Sequence, residues 1–345
     1  MGQSTVFVGI DYHQDQIQVC VLDAQGKVLS NSRCGNDWRG IVARVGERRG
    51  VHAAIEASTG AADLAEQLQL LAGWQVNLAH ARYVARIKQS PDKTDFTDAR
   101  LLADLTRVGY LPRTWLPPRR IRELRRLMHS RQALAQQRRA TKLRIQAIRR
   151  DHRLNDAPAQ PWTRLWIAWL RNHADLGDCD RWLIEEHLEH LAYLNAKLHR
   201  LERKLDEITA DDAVVAHLLN IEGIGPVTAW ALRASIGSFD RFHSAKALCR
   251  YCGLSPRNAS SGRRQADAGL INDADPQLRA LLIQAAQRLK RTVPRWHALA
   301  DKLARAGKPK NIATVAVANR WMRTVYHRMQ APLQAHPLPQ ERRSA

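Results

Sequence analysis

Two aspartates stand three residues apart in the stretch "KTDFTDAR", which follows a run of turn-forming residues and precedes the apolar run "LLADL". Asp95 and Asp98 are expected in the first turn of a helix, where this spacing places both on one face. Acids often occupy a helix start because they accept hydrogen bonds from its free amides and are stabilised by the positive end of the helix dipole. Taken alone, the pair is therefore compatible with a simple helix start and with a metal-binding site.

Two further acids end predicted strands. Asp11 closes the apolar run "TVFVGID", and Glu56 lies near the end of "VHAAIEA". An acid in an otherwise apolar strand needs a partner. If these two strands are neighbours, all four carboxylates converge, and such oxygen ligands suit Mg²⁺ or Mn²⁺. A pair of these ions can activate an attacking oxygen and stabilise a leaving oxygen in phosphodiester cleavage.

The elements that must position these acids follow from the apolar periodicity of the first hundred residues. Three consecutive antiparallel strands are predicted, then alternating helices and strands, which gives a mixed sheet with helices on its faces. This order is the ribonuclease-H-like one. The predicted segments are, in chain order, "TVFVGID", "DQIQVCVLD", "GKVLSNSR", a helix over 38–48, "VHAAIEA", a helix over "AADLAEQLQLLAG", and "WQVNLAH".

The chain of 345 residues carries a formal net charge of +21, from 54 lysines and arginines against 33 acids. Such an excess predicts a polyanionic partner, and nucleic acid is the first candidate. The positive charge is concentrated between residues 113 and 153, whereas the first hundred residues are nearly balanced. Within the basic segment, Arg138, Arg139 and Lys142 are candidate nucleic-acid contacts.

The middle of the chain is predicted to be helical. A long helix is expected over 119–151, followed by a leucine seam with spacings of three and four that lasts about two and a half heptads. The seam is compatible with a coiled coil between chains and with packing inside one chain. Trp162, Trp166 and Trp169 recur at helical spacing and are predicted core residues. The seam residues are Leu191, Leu194, Leu198, Leu201, Leu205 and Ile208.

The stretch "NIEGIGPVTA" places Gly223 and Gly225 in a tight turn before a helix. The backbone amides of such a turn can meet a phosphate, as in helix-hairpin-helix DNA-binding motifs. A glycine that merely ends the preceding helix is the alternative.

A serine-containing segment follows in "GLSPRNASSGRRQ", where Ser260 and Ser261 are flanked by Arg257, Arg263 and Arg264. Arginines so placed can bind a phosphate and stabilise a charged transition state beside a nucleophilic hydroxyl. A solvated serine-glycine loop is the common alternative, and no histidine base stands nearby in sequence.

Five scattered cysteines do not form a disulfide framework and suit a reducing compartment. Cys249 and Cys252 have the spacing of half a zinc knuckle, but without a second pair we expect both to be small half-buried residues on a helix. The N-terminal sequence shows no signal peptide and no stretch long enough for a membrane span, so a cytoplasmic, nucleoid-associated protein is predicted.

Taken together, "GIDYHQ", "AIEAST", "KTDFTDAR", "IEGIGPVTA" and "GLSPRNASSG" resemble, in this order, the DEDD transposases of bacterial insertion sequences of the one-hundred-and-ten type, recombinases guided by a bridge RNA. The resemblance spans nearly the whole chain. It implies a tetrad of Asp11, Glu56, Asp95 and Asp98, and a catalytic serine at Ser261, with Ser260 beside it. The resemblance further implies that the serine attacks DNA and forms a covalent link with it, while another subunit supplies the acidic domain.

The resemblance also implies a RuvC-like DEDD domain over 1–115, arginine-rich helices and a coiled-coil segment over 116–212, and a mainly helical serine-bearing domain over 213–331. A disordered tail is expected over 332–345. The implied partners are donor and target double-stranded DNA, a non-coding guide RNA and further copies of the chain, as a dimer or a synaptic tetramer. The stretch "RRQADAGLINDADPQ" departs from many relatives, so the resemblance implies no phosphate contacts beyond Arg264.

Two other functions remain compatible with these residues. A RuvC-like junction resolvase would use the same tetrad with water as the nucleophile and would not need Ser261. A non-catalytic nucleic-acid-binding protein would carry the acids for structural reasons alone. Covalent trapping on DNA separates the first alternative from a recombinase, and magnesium-independent binding without cleavage would favour the second.

Overall fold

The computed structural model describes residues 5–87, 94–173, 175–258, 267–271 and 273–330. The chain forms two compact units, Met1–Arg119 and Arg120–Ala345. Within these described ranges, we find no helix that is both long and apolar enough to cross a bilayer. The predicted tail over 332–345 lies outside the described residues.

The first unit is built on a six-stranded sheet in the order β3-β2-β1-β4-β5-β6. The first three strands pair antiparallel, and β1, β4 and β5 run parallel, which confirms the predicted ribonuclease-H-like order. The short edge strand β6 was not predicted because two residues carry no periodic signal. The strands are β1 (Val6–Tyr12), β2 (Gln16–Leu22), β3 (Val28–Gly35), β4 (Val51–Glu56), β5 (Gln75–Ala79) and β6 (Arg113–Thr114).

Helices cover both faces of this sheet. They are α1 (Trp38–Val45), α2 (Ala61–Ala72), α3 (Ala81–Ile87) and α4 (Asp95–Arg107). Successive strand residues point to opposite faces, so each strand serves two cores. Val8 and Ile10 of β1 pack with residues of α1 and α2 in one cluster, whereas Cys20 and Leu22 of β2 pack with Ala99 of α4 in another.

The helix α4 lies directly against β1 at Gly9. A Cβ at this position would come within 1.8 Å of the Ala99 carbonyl oxygen and 2.5 Å of the Ala103 nitrogen. Because both atoms belong to the helix backbone, no side-chain rotation could relieve the overlap. The close approach of α4 to β1 therefore requires glycine at position 9.

The second unit begins with two long helices, α5 (Arg119–Asp151) and α7 (Asp178–Thr209), joined through α6 (Arg164–Arg171). Ion pairs that join these helices, or residues just beyond their ends, run in opposite order along the two helices, so the pair is antiparallel. These contacts are Arg120 Nη2 with Asp211 Oδ1 at 2.5 Å, Arg131 Nη2 with Glu202 Oε1 at 2.6 Å, and His152 Nε2 with Asp180 Oδ2 at 2.7 Å.

The leucine seam of α7 is buried inside the single chain. Leu191, Leu194, Leu198 and Leu205 are at most 6% exposed. Packing within one chain therefore accounts for this seam without a second copy. The tryptophan prediction is also confirmed, since Trp166 is fully buried and its ring centroid lies 4.9 Å from that of Trp162.

The rest of the second unit is mainly helical and surrounds one large core. Its elements are α8 (Ala213–Leu219), α9 (Pro226–Ile236), α10 (Ala245–Tyr251), β7 (Pro256–Asn258), β8 (Asp267–Leu270), α11 (Pro276–Thr292), α12 (Pro294–Arg305) and α13 (Lys310–Gln330). Cys249 in α10 and Cys252 just after it are both fully buried in this core, more deeply than the half-buried positions expected from the sequence. Burial raises the pKa of the Cys249 thiol to about 11.

The contact at Gly9 generates a prediction about stability. Replacement by alanine should destabilise the first unit by about 1–3 kcal/mol or more, because α4 must move away from β1 to admit the methyl group. Urea unfolding followed by circular dichroism would measure this change. Gly35→Ala is the matched control, since its Cβ would meet no atom closer than 3.5 Å. Equal stability of the two variants would show that α4 does not depend on this contact.

Candidate metal centre and nucleic-acid contacts

Asp11 and Glu56 lie at the same edge of the sheet. Strands β1 and β4 are parallel neighbours, and Ile10 is paired with Ile55, so the next residue in each strand is one of the two acids. Ile10 and Ile55 both face the core beneath α1 and α2. Because side chains alternate along a strand, Asp11 and Glu56 share the opposite face, which is the face covered by α4.

The other two acids enter this region on the first turn of α4. The helix begins after Thr94, whose hydroxyl oxygen accepts a hydrogen bond from the Thr97 amide at 3.2 Å. Asp95 and Asp98 follow as half-buried residues of the first turn, as predicted. The cap fixes where the helix starts, and the contact of α4 with Gly9 fixes how close that start comes to β1.

Asp11 is electrostatically coupled to both acids of α4. Burial raises the pKa of the Asp11 carboxyl, and the nearby charges of Asp95 and Asp98 raise it further, while His13 lowers it in part. Asp11 therefore lies close enough to Asp95 and to Asp98 to be repelled by each of them. A bound cation would remove this repulsion.

His13 belongs to this cluster, and the sequence analysis did not assign it. Its Nε2 lies 3.3 Å from Asp11 Oδ2 and 3.5 Å from Asp95 Oδ1. One ligand atom from each of these three residues lies within 4.8 Å of the others. His13 lies one residue beyond the end of β1, so the alternation of side chains along the strand did not assign it.

A chain of polar contacts from β2 and β3 holds the first turn of α4. The Gln18 side chain donates to Asn31 Oδ1 at 2.6 Å, and Asn31 Nδ2 donates to the Phe96 carbonyl at 3.1 Å. Beside them, Arg33 Nη2 donates to Asp95 Oδ2 at 3.1 Å. The contacts of Asn31 and Arg33 with α4 join residues more than sixty positions apart, and the Arg33 contact orients the Asp95 carboxylate.

The turn between β1 and β2 is fixed in a similar way. Asn36 Nδ2 donates to the carbonyl oxygens of His13 at 3.0 Å and Gln14 at 2.9 Å. Next to this turn runs a groove of about 540 Å³ that is lined by His13, Arg33 and Asp95, among other residues. A polar groove beside the acids offers an approach for a phosphate-bearing strand.

The donor set fits a divalent cation. Carboxylate oxygens of Asp11 and Asp95 and the imidazole nitrogen of His13 lie within 4.8 Å of one another, and the mutual repulsion of the acids favours a positive charge among them. Glu56 and Asp98 lie on elements that reach the same edge. Hard carboxylate ligands suit Mg²⁺ and Mn²⁺, and an imidazole ligand is compatible with Mn²⁺.

The predicted nucleic-acid contacts on α5 differ from one another in the structure. Arg139 is exposed, whereas Arg138 and Lys142 are half-buried. The Lys142 Nζ lies 4.5 Å from the ring centroid of Trp162, and burial together with Arg138 lowers its pKa. Arg139 therefore offers a more accessible charge than Lys142. Arg131, by contrast, is used in the ion pair with Glu202.

The glycine turn is formed as predicted between α8 and α9. Gly223 has a φ of +88°, and a Cβ there would lie 2.7 Å from a methyl carbon of Leu289. The helix α8 already ends at Leu219, so Gly223 belongs to the turn and does not cap that helix. Gly225 precedes α9 without a side-chain cap, which leaves the first amides of α9 for the predicted phosphate contact.

The remaining predicted residues belong to the serine-containing segment. Arg257 is exposed in β7, which pairs antiparallel with β8. Ser260, Ser261, Arg263 and Arg264 lie outside the described residues, so their predicted roles stay predictions.

Two family models match this chain. A DEDD-type model described as "Transposase" matches residues 8–150, a range that includes Asp11, Glu56, Asp95 and Asp98. A second model, described as "Transposase IS116/IS110/IS902 family", matches residues 215–301 and includes the glycine turn and the serine-containing segment. The two matches fall on different parts of the chain, in the order implied by the sequence motifs.

Several curated proteins are similar to parts of the chain. A "Probable family 20 transposase" of Pseudomonas aeruginosa is 34% identical over 149 residues, which cover 42% of this chain and 44% of that protein. The "Transposase for insertion sequence element IS1328" of Yersinia enterocolitica is 34% identical over 99 residues, covering 29% of this chain and 30% of its own length.

A third relative, the "Transposase for insertion sequence element IS1111A" of Coxiella burnetii, is 32% identical over 126 residues, or 34% of each chain. The chain spans less than half the length of each of these relatives. The relatives and the two family models nevertheless agree: the chain belongs to the IS110 family of insertion-sequence transposases.

Proposed function

We propose that this protein is a DNA transposase that cuts and rejoins donor and target DNA. The observation that carries the proposal is the gathering of Asp11, His13 and Asp95 at one sheet edge, with Glu56 and Asp98 on the elements beside them. Family membership supports the reaction, and a net charge of +21 supports a nucleic-acid substrate.

The carboxylates would act by holding Mg²⁺ or Mn²⁺ against a phosphodiester. Such a cation, when bound, would neutralise charge on the phosphate and stabilise the attacking and leaving oxygens. Asp11 and Asp95 supply oxygen ligands, and Arg33 keeps the Asp95 carboxylate in place. Without a cation, this acidic edge would repel the phosphate backbone. The acids would therefore hold the cation, and the basic surfaces would bind the backbone.

The basic surfaces would bind the nucleic acid. The arginine-rich helix α5, with Arg139 exposed, offers contacts to phosphates that do not depend on base sequence. The turn at Gly223 and Gly225 would add backbone amides before α9. We further propose that a non-coding guide RNA supplies target choice by base pairing, as the resemblance implies, and that the active form is a homo-oligomer.

The proposed nucleophile is Ser261. Its hydroxyl oxygen would attack the phosphorus, the bond from phosphorus to the leaving strand would break, and that strand would depart with a hydroxyl end. The hydroxyl proton would pass to a base in the assembled site. A second strand's hydroxyl would then attack the protein-DNA phosphodiester and release the serine, so that rejoining needs no external energy source. Arg257 and Arg263 would hold the non-bridging oxygens.

The acidic site generates the first test of this function. Asp95→Asn should lower DNA strand cleavage by at least about a hundredfold, because it removes one negative ligand of the cation while leaving the helix start intact. Binding of guide RNA, measured by gel shift, should stay within about twofold of wild type. The measurement is cleavage of labelled target DNA with guide RNA and Mg²⁺.

Asp104→Asn is the matched control for Asp95→Asn. Asp104 lies on the same helix and pairs with Arg107, whose Nη2 is 2.7 Å from Asp104 Oδ1. This variant should cleave at the wild-type rate. Full cleavage by Asp95→Asn, or an equal loss in both variants, would contradict the proposed metal site.

The serine generates the second test. Wild-type protein incubated with guide RNA, Mg²⁺ and labelled target DNA should yield a labelled protein band after denaturation. Ser261→Ala should bind RNA and DNA but form no such adduct, whereas Ser260→Ala should retain most of it, since only one hydroxyl attacks. Mass spectrometry would map the modified residue.

Clean cleavage by Ser261→Ala without a covalent adduct would indicate water as the nucleophile. That outcome would favour the junction-resolvase alternative, which uses the same sheet and acids. An adduct on Ser260 would place the nucleophile one residue earlier than proposed.

A further inference from the structure

A histidine lies among the acids of the candidate metal centre and has no role in the mechanism above. We propose that His13 supplies a nitrogen ligand to the bound cation and that this ligand makes the site favour Mn²⁺ over Mg²⁺. The inference rests on the proposed function, since it concerns the same cation. It assigns to His13 a role that the four carboxylates alone would not require.

The geometry of the imidazole supports this role. A single atom, His13 Nε2, faces both Asp11 Oδ2 at 3.3 Å and Asp95 Oδ1 at 3.5 Å. A cation placed among these three atoms would meet two oxygens and one nitrogen, one from each residue. For Nε2 to offer its lone pair, the ring proton must lie on Nδ1.

The contacts of Asp95 also support a role for His13 as a metal ligand. Arg33 Nη2 binds Asp95 Oδ2 at 3.1 Å, which leaves Oδ1 on the side of His13. Arg33 thus orients the carboxylate so that Oδ1 is available to a cation that the His13 imidazole would also bind. Outer contacts of this kind fix the orientation of metal ligands in many proteins.

The backbone of His13 is also held. Asn36 donates hydrogen bonds to the carbonyl oxygens of His13 and Gln14, which ties the β1–β2 turn to the end of β3. The His13 side chain is 55% exposed and lines the groove beside Asp95. It is therefore positioned at the entrance through which a hydrated cation would arrive.

The identity of the donor atoms determines the preferred ion. Mg²⁺ binds oxygen ligands almost exclusively and retains several waters, whereas Mn²⁺ accepts imidazole nitrogen more readily. A site of carboxylates alone would not distinguish the two ions strongly. A site that includes His13 should bind Mn²⁺ more tightly.

A different role for His13 makes the opposite prediction. If the imidazole were protonated, it would act as a positive charge that bridges two acids and competes with the cation. Removal of His13 would then raise the affinity for Mg²⁺ and Mn²⁺ alike. Removal of a ligand should instead lower the affinity for Mn²⁺ and leave Mg²⁺ nearly unchanged.

Pulsed electron paramagnetic resonance tests the nitrogen ligand directly. The full-length, tag-free protein is loaded with Mn²⁺, and the electron spin echo is examined for coupling to the nitrogen of a bound imidazole. We expect ¹⁴N coupling that changes to the ¹⁵N pattern when histidine is ¹⁵N-labelled. The coupling should vanish in His13→Gln and persist in His80→Gln.

His80→Gln is the matched control because His80 follows β5 in the same unit and its ring packs on Tyr83, with ring centroids 4.6 Å apart. In competition titrations, His13→Gln should lower Mn²⁺ affinity about tenfold or more, and Mg²⁺ affinity by less than about twofold. Asp95→Asn should weaken the binding of both ions.

Four results would overturn the inference. Bound Mn²⁺ without nitrogen coupling, or coupling retained in His13→Gln, would show that His13 is not a ligand while leaving the carboxylate site intact. Higher affinity for both ions in His13→Gln would identify the imidazole as a competing charge. Failure of wild-type protein to bind Mn²⁺ at all would contradict both this inference and the metal-dependent function on which it rests.

Discussion

The candidate site depends on the direct packing of the α4 backbone against β1. Gly9 allows this packing, because any Cβ there would overlap the Ala99 carbonyl and the Ala103 nitrogen. The start of α4 carries Asp95 and Asp98, and the end of β1 carries Asp11. A helix held one side-chain layer further away would separate these acids. The absence of a side chain in a strand interior therefore determines the position of the carboxylates.

Electrostatic repulsion is the cost of this arrangement. Burial and the charges of Asp95 and Asp98 raise the pKa of Asp11, which shows that the acids are brought together against their mutual repulsion. His13 and Arg33 offset part of it through contacts of 3.1–3.5 Å. In a chain with a net charge of +21, a local negative cluster of this kind provides a place for a cation next to a polyanionic substrate.

Much of this arrangement follows from local sequence patterns. Apolar alternation predicted the strands, their order placed Asp11 beside Glu56, and the three-residue spacing put Asp95 and Asp98 on one helix face. The pattern could not assign His13, whose role depends on its distance from Asp95, eighty-two positions along the chain. The pairing of Arg33 with Asp95 likewise joins residues that are remote in sequence, sixty-two positions apart. Heptad spacing could not decide whether the leucine seam packs against a second copy or within one chain. In the structure, the seam is buried against residues of the same chain.

The most direct test of the central claim, that the acids at this sheet edge hold a divalent cation, is anomalous diffraction from crystals of the full chain grown with Mn²⁺. Data collected on both sides of the manganese absorption edge locate the ion independently of any assumed ligand. We expect an anomalous peak within coordination distance of carboxylate oxygens of both Asp11 and Asp95. A fully occupied manganese position elsewhere, with no peak between these two residues, would contradict it.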